Sequence, residues 1–202
     1  GYKDAFQVKV LPDDAHPLDI RYNVINWVHR STRGWSYGGS VVDPRTGEII
    51  KGNVLLGSLR VRQDYMIATG LLAPFSEQSE SEGVLENLAD SPMMDMALAR
   101  IRQLSAHEVG HTLGIYHNFA SSANNRASVM DYPHPKVDII DGELNLDDAY
   151  DTALGAWDKV TIAYGYQDFP DNVDEIKALN ELLEQAHSSG LDYISDNDAR
   201  PK

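Results

Sequence analysis

The spacing of apolar residues changes period several times along the chain. Residues 6–11 (FQVKVL) alternate apolar with polar and stop at Pro12, which predicts a strand. Residues 20–29 (IRYNVINWVH) are rich in β-branched and aromatic side chains and predict a second. Two further apolar runs, residues 40–42 and 48–57, flank Asp43-Pro44-Arg45-Thr46-Gly47. Proline and glycine in those places make the pair a hairpin. Residues 58–72 (SLRVRQDYMIATGLL) fit a helix, and the serine- and glutamate-rich stretch 75–90 reads as a surface loop.

The strongest helical signal covers residues 93–113. Ser91 can cap it, Pro92 suits its first turn, and Gly114 can leave it in the left-handed conformation. Residues 120–141 look irregular, with Pro133 and Pro135 inside. Helices are expected over 147–164, where Asp147, Asp148 and Asp151 would favour the N-terminus, and over 172–187, ended by Gly190. The polar tail 192–202 shows no core of its own. Strands followed by helices indicate an α+β fold. We expect a single domain over 1–202, with 166–202 as its C-terminal helical extension.

Composition narrows the chemistry. At 202 residues and 42% hydrophobic, the chain can bury a core. Its 17 Lys and Arg against 31 Asp and Glu give a net charge of −14, which argues against nucleic acid and against an anionic membrane surface. No apolar run reaches the ~18–20 residues of a membrane span. There is no cysteine, so disulfides and thiolate chemistry are excluded and any metal must sit on His, Asp or Glu.

Such a ligand set is present in the sequence His107-Glu108-Val109-Gly110-His111-Thr112-Leu113-Gly114-Ile115-Tyr116-His117. Histidines four apart share one helix face, so both imidazoles can reach one ion. Glu108 stands beside the first, where its carboxylate can meet a water on that ion. Gly114 breaks the helix and lets His117 return as a third nitrogen ligand. Three neutral imidazoles with one open position are the arrangement of a catalytic zinc. Gly110 costs the helix about 1 kcal/mol relative to alanine, which a plain surface helix has no reason to bear. The histidines at 16, 29 and 187 lack such spacing.

Beyond His117, Ser128-Val129-Met130-Asp131-Tyr132-Pro133 forms a short apolar segment ending in a turn, with its methionine thirteen residues on. The extended motif followed by a methionine-containing turn resembles the metzincin clan of zinc endopeptidases. The Met-x-Tyr form looks like that of astacins and serralysins. The stretches GGSVVDPRTGEI, RQLSAHEVGHTLGIYHNFA and RASVMDYP are similar to a bacterial family of large secreted zinc-dependent metzincins of largely unassigned role. That resemblance reaches to about Gly165 and is strongest over 100–133.

The resemblance implies a twisted mixed β-sheet above an active-site helix, one catalytic Zn2+ on His107, His111 and His117, and Glu108 as catalytic base. Met130 would be the apolar floor of the site. Tyr132 would be a resting ligand or a hydroxyl that swings to the oxyanion. A cleft-lining edge strand would pair with extended peptide, and residues 36–42 supply it, with Gly38, Gly39, Ser40 and Val41 as substrate-binding residues. Residues 6–11 would match the family's second strand, so its opening strand and helix would be missing from this piece. An extracytoplasmic location is likewise implied. The expected function is therefore endopeptidase hydrolysis by metal-activated water, on a peptide or protein substrate. Its competitors are a peptide-binding module without turnover and a zinc amidohydrolase acting on a non-peptide amide.

Overall fold

The structure is a computed structural model that describes residues 2–32, 34–72, 74 and 91–199. Three strands form a mixed sheet: β1 (Val24–Val28), β2 (Tyr37–Val42) and β3 (Ile49–Gly57), in the order β1-β3-β2. β1 runs parallel to β3, with Val24 opposite Asn53, and β2 runs antiparallel to it, with Gly38 opposite Val54. The β2–β3 connection is the expected hairpin. The Asp43 carbonyl accepts from the N–H groups of Thr46 and Gly47, and Gly47 takes φ +78°. Among the described residues β2 is an edge strand.

Helix α1 (Leu59–Leu72) follows β3, and the long helix α2 (Pro92–Thr112) crosses beneath the sheet. α2 starts where the sequence places it, with the Ser91 hydroxyl accepting from the Met94 N–H at 3.2 Å. Apolar burial locks the two layers together. Alternate residues Val54 and Leu56 of β3 meet Leu104, Ile101 and Val109 of α2. A second cluster, Ala68, Met96, Leu146, Ala149 and Tyr150, joins α1 and α2 to the chain beyond. After α2 come a 3-10 turn (Phe119–Ala123), a small hairpin of β4 (Asp138–Ile140) and β5 (Glu143–Asn145), and helices α3 (Ala156–Tyr166), α4 (Glu175–Ser188) and α5 (Asp196–Ala199). This is the mixed sheet with an active-site helix and C-terminal helices that the resemblance implies.

Four expectations need correcting. Residues 6–11 form no strand, and Phe6, Val8 and Val10 are exposed. Alternation alone does not make a strand when no neighbour among the described residues takes up its backbone hydrogen bonds. The second predicted strand shortens to β1, because Asp19 accepts from the Arg21 and Tyr22 N–H groups and turns the chain there. The hairpin β4–β5 was not anticipated, although its Asp141-Gly142 turn, with φ +54° and +91°, is a strong hairpin signal. The helix expected from residue 147 begins at 156 instead, since Asp148 and Asp151 are drawn out to Arg126 and Lys136. The expected loop 75–90 lies outside the described residues.

Candidate metal centre

α2 carries His107, Glu108 and His111 on its last two turns, and its end turns His117 back towards them. The Ile115 N–H bonds to the Gly110 carbonyl and the Gly114 N–H to that of His111, with Gly114 at φ +82°. This double hydrogen bond closes a helix around a left-handed residue, a conformation glycine adopts without strain.

The ligating atoms of the three histidines lie within 4.8 Å of one another. His111 Nε2 is 3.1 Å from both His107 Nε2 and His117 Nε2. Each Nδ1 faces a pure acceptor: the Val129 carbonyl at 2.7 Å from His107, the Ile115 carbonyl at 2.8 Å from His111, and the Asp196 carboxylate at 2.7 Å from His117. Each Nδ1 therefore carries the proton, and each Nε2 presents its lone pair to a common point. Burial holds His107 down to about 4 and lowers His111 as well, so both rings are neutral at pH 7.

Three lone pairs facing one another repel unless a cation lies among them. The 3.1 Å spacing is near the edge, about 3.3 Å, of a tetrahedron with zinc–nitrogen bonds of about 2.0 Å. The residues thus fit a divalent ion of the zinc type. Beside the triad, the Tyr132 hydroxyl lies 2.9 Å from His117 Nε2. Glu108 is buried, which raises its carboxyl above the usual range, while the Gly38 backbone N–H donates to it and opposes that rise.

The floor is built by the turn. Met130 is 1% exposed, and a Cβ on Gly110 would come within 2.4 Å of its sulfur. Gly110 is there to let the methionine in. Asp158 of α3 fixes the turn from below, accepting from the Ser128 hydroxyl at 2.5 Å, the Val129 N–H at 3.0 Å and the Gly155 N–H at 2.7 Å. Gln103, one turn before His107 on α2, donates to the same Val129 carbonyl at 2.8 Å. That carbonyl is held between two residues of one helix.

Above the triad is a cleft of about 500 Å3, lined by Ser36, Tyr37, Gly38, Ser40 and Val42, by Glu108 and His111, by residues 114–117, and by Tyr132. Of the four expected substrate-binding residues, Gly38 and Ser40 line it. Gly39 and Val41 do not, as strand alternation requires. Gly38 also has a role not foreseen: its Cβ would stand 1.9 Å from the Glu108 carbonyl oxygen, so the backbone it admits is that of α2. A larger concavity, about 1050 Å3, lies between the N-terminal half of α2 and residues 146–156, away from the histidines. Its Arg126, Asp148 and Asp151 are paired with one another.

Sequence reasoning missed Gln103, Asp158 and Asp196. The first two carried no motif. The only hint of the third was the apolar pair Tyr193-Ile194 inside a polar tail.

Sheet, helix, triad and methionine turn together define a metallopeptidase type of centre, with a glutamate beside three imidazoles over an apolar floor. The Met-zincin family model matches residues 89–202, from α2 to the end of the chain, and the chain belongs to that family. Membership implies a zinc metallopeptidase type and a peptide substrate. No curated protein and no solved structure matches the chain significantly. Among the described residues no helix is long and apolar enough to cross a membrane.

Proposed function

We propose that the protein is a zinc-dependent endopeptidase with Glu108 as its general base. The observation that carries this reading is the convergence of three Nε2 lone pairs in a cleft whose wall is a free strand edge, with the Glu108 carboxylate beside them. Zinc held by His107, His111 and His117 would supply a Lewis acid that polarises the scissile carbonyl and makes water acidic near pH 7.

The chain's own groups do the rest. An extended peptide pairs with the edge of β2 along 36–42, which sets its backbone direction with little side-chain selection. Glu108 takes the proton from the attacking water and delivers it to the leaving amine nitrogen. Burial raises the carboxyl's affinity for that proton, and the Gly38 N–H keeps the group from turning away. The Tyr132 hydroxyl donates to the carbonyl oxygen as negative charge develops there.

Glu108→Gln tests the reading. It should keep about one zinc per chain by metal analysis and lose at least about 10³-fold in cleavage of an unfolded protein substrate. Full turnover in that variant would overturn the mechanism. Zinc bound by wild type without chelator-sensitive cleavage would turn the assignment towards a peptide-binding module.

A further inference from the structure

Residues 191–199 have no core of their own, yet they are fastened to the segment that carries the third imidazole. Asn118, 1% exposed, donates to the Asp192 carbonyl at 3.0 Å and accepts from the Ile194 N–H at 3.1 Å. The Phe119 N–H returns a bond to the Ile194 carbonyl at 2.8 Å, and the Tyr193 ring stacks on Trp157 at 5.4 Å. The result of this lacing is a single contact at the metal centre: Asp196 Oδ2 lies 2.7 Å from His117 Nδ1.

The three histidines are not held alike. His107 and His111 give their Nδ1 protons to backbone carbonyls, whose places follow from the methionine turn and the end of α2. Only His117 gives its proton to a charged side chain, 79 residues further along the chain. His117 is also the one ligand off the helix, so α2 cannot orient its ring. A carboxylate acceptor makes a stronger bond than a carbonyl and increases electron donation from the opposite ring nitrogen.

We propose that Asp196 is the positioning residue of the third ligand, holding the His117 Nδ1–H so that Nε2 points into the triad, and that 191–199 is the strap that brings it there. This rests on the reading of the triad as a zinc site. It makes the C-terminal segment a part of the metal centre.

Zinc affinity, read by competition against a chromophoric chelator, tests it in the full chain. D196A should bind Zn2+ about 10–100-fold more weakly than wild type. D196N, which keeps an acceptor without its charge, should fall between them, and D196E should recover most of the loss. In an H117A background, D196A should cost no further factor. Wild-type affinity in D196A overturns the proposal. So does an equal loss in the H117A background, which would mean that Asp196 acts through the fold and not through His117. If wild type binds zinc and H111A abolishes it while D196A is indifferent, only the positioning role fails. A wild-type protein that binds no zinc overturns both this proposal and the reading beneath it.

Discussion

At position 110, helix propensity and packing oppose each other. Alanine would gain about 1 kcal/mol of helix propensity but set its Cβ 2.4 Å from the Met130 sulfur. Thioether chains adapt, so the overpacking cost falls at the low end of ~1–3 kcal/mol and the two effects nearly cancel. G110A should therefore shift the denaturant midpoint little while weakening zinc binding, because the floor under the imidazoles moves. Equal zinc affinity in G110A and wild type would show that the floor has no part in holding the ligands. Tyr132 poses a different question at this scale. Its hydroxyl meets His117 Nε2 but is not needed to place the ring, so Y132F should keep zinc and lower kcat by about 10²-fold. Unchanged steady-state kinetics would remove it from the chemistry.

Between elements, the decisive contact is β2 on α2. A Cβ at Gly38 would strike the Glu108 carbonyl oxygen at 1.9 Å, and backbone cannot step aside as a methionine can. G38A should lose at least about 2 kcal/mol in urea unfolding, more than G110A, and turnover should drop as β2 lifts from Glu108. The reverse ranking would mean that β2 sits less tightly on the helix than described. Legibility differs at this scale for physical reasons. α2 was readable because cap, first-turn proline and terminal glycine are local. α3 was misplaced because Asp148 and Asp151 are engaged by Arg126 and Lys136, partners distant in sequence. Residues 6–11 were overread because alternation says nothing of whether a neighbouring strand exists.

For the molecule as a whole, buried neutral histidine sets a pH limit on the metal-free protein. The folded state holds His107 at about 4 against 6.5 unfolded. Above pH 6.5 neither state takes a proton there. Between 6.5 and about 4 the unfolded chain is protonated and the folded one is not, so stability falls as pH falls, by about 3 kcal/mol in all. His111 acts in the same direction. Urea midpoints of chelator-treated protein should decline through that window, and excess zinc at pH 7 should raise them. A flat profile would contradict the burial of His107. The sequence by itself determined the three clustered histidines, the glutamate beside them and the glycine that turns His117 back, because helix periodicity and local turn chemistry act over a few residues. Only the tertiary structure decided that Gly38 seats β2 on Glu108, that Asp158 props the turn, and that a tail carboxylate meets the His117 ring. Those contacts join residues about 30 to 80 positions apart, and what brings them together is burial of one element against another, which no local pattern encodes.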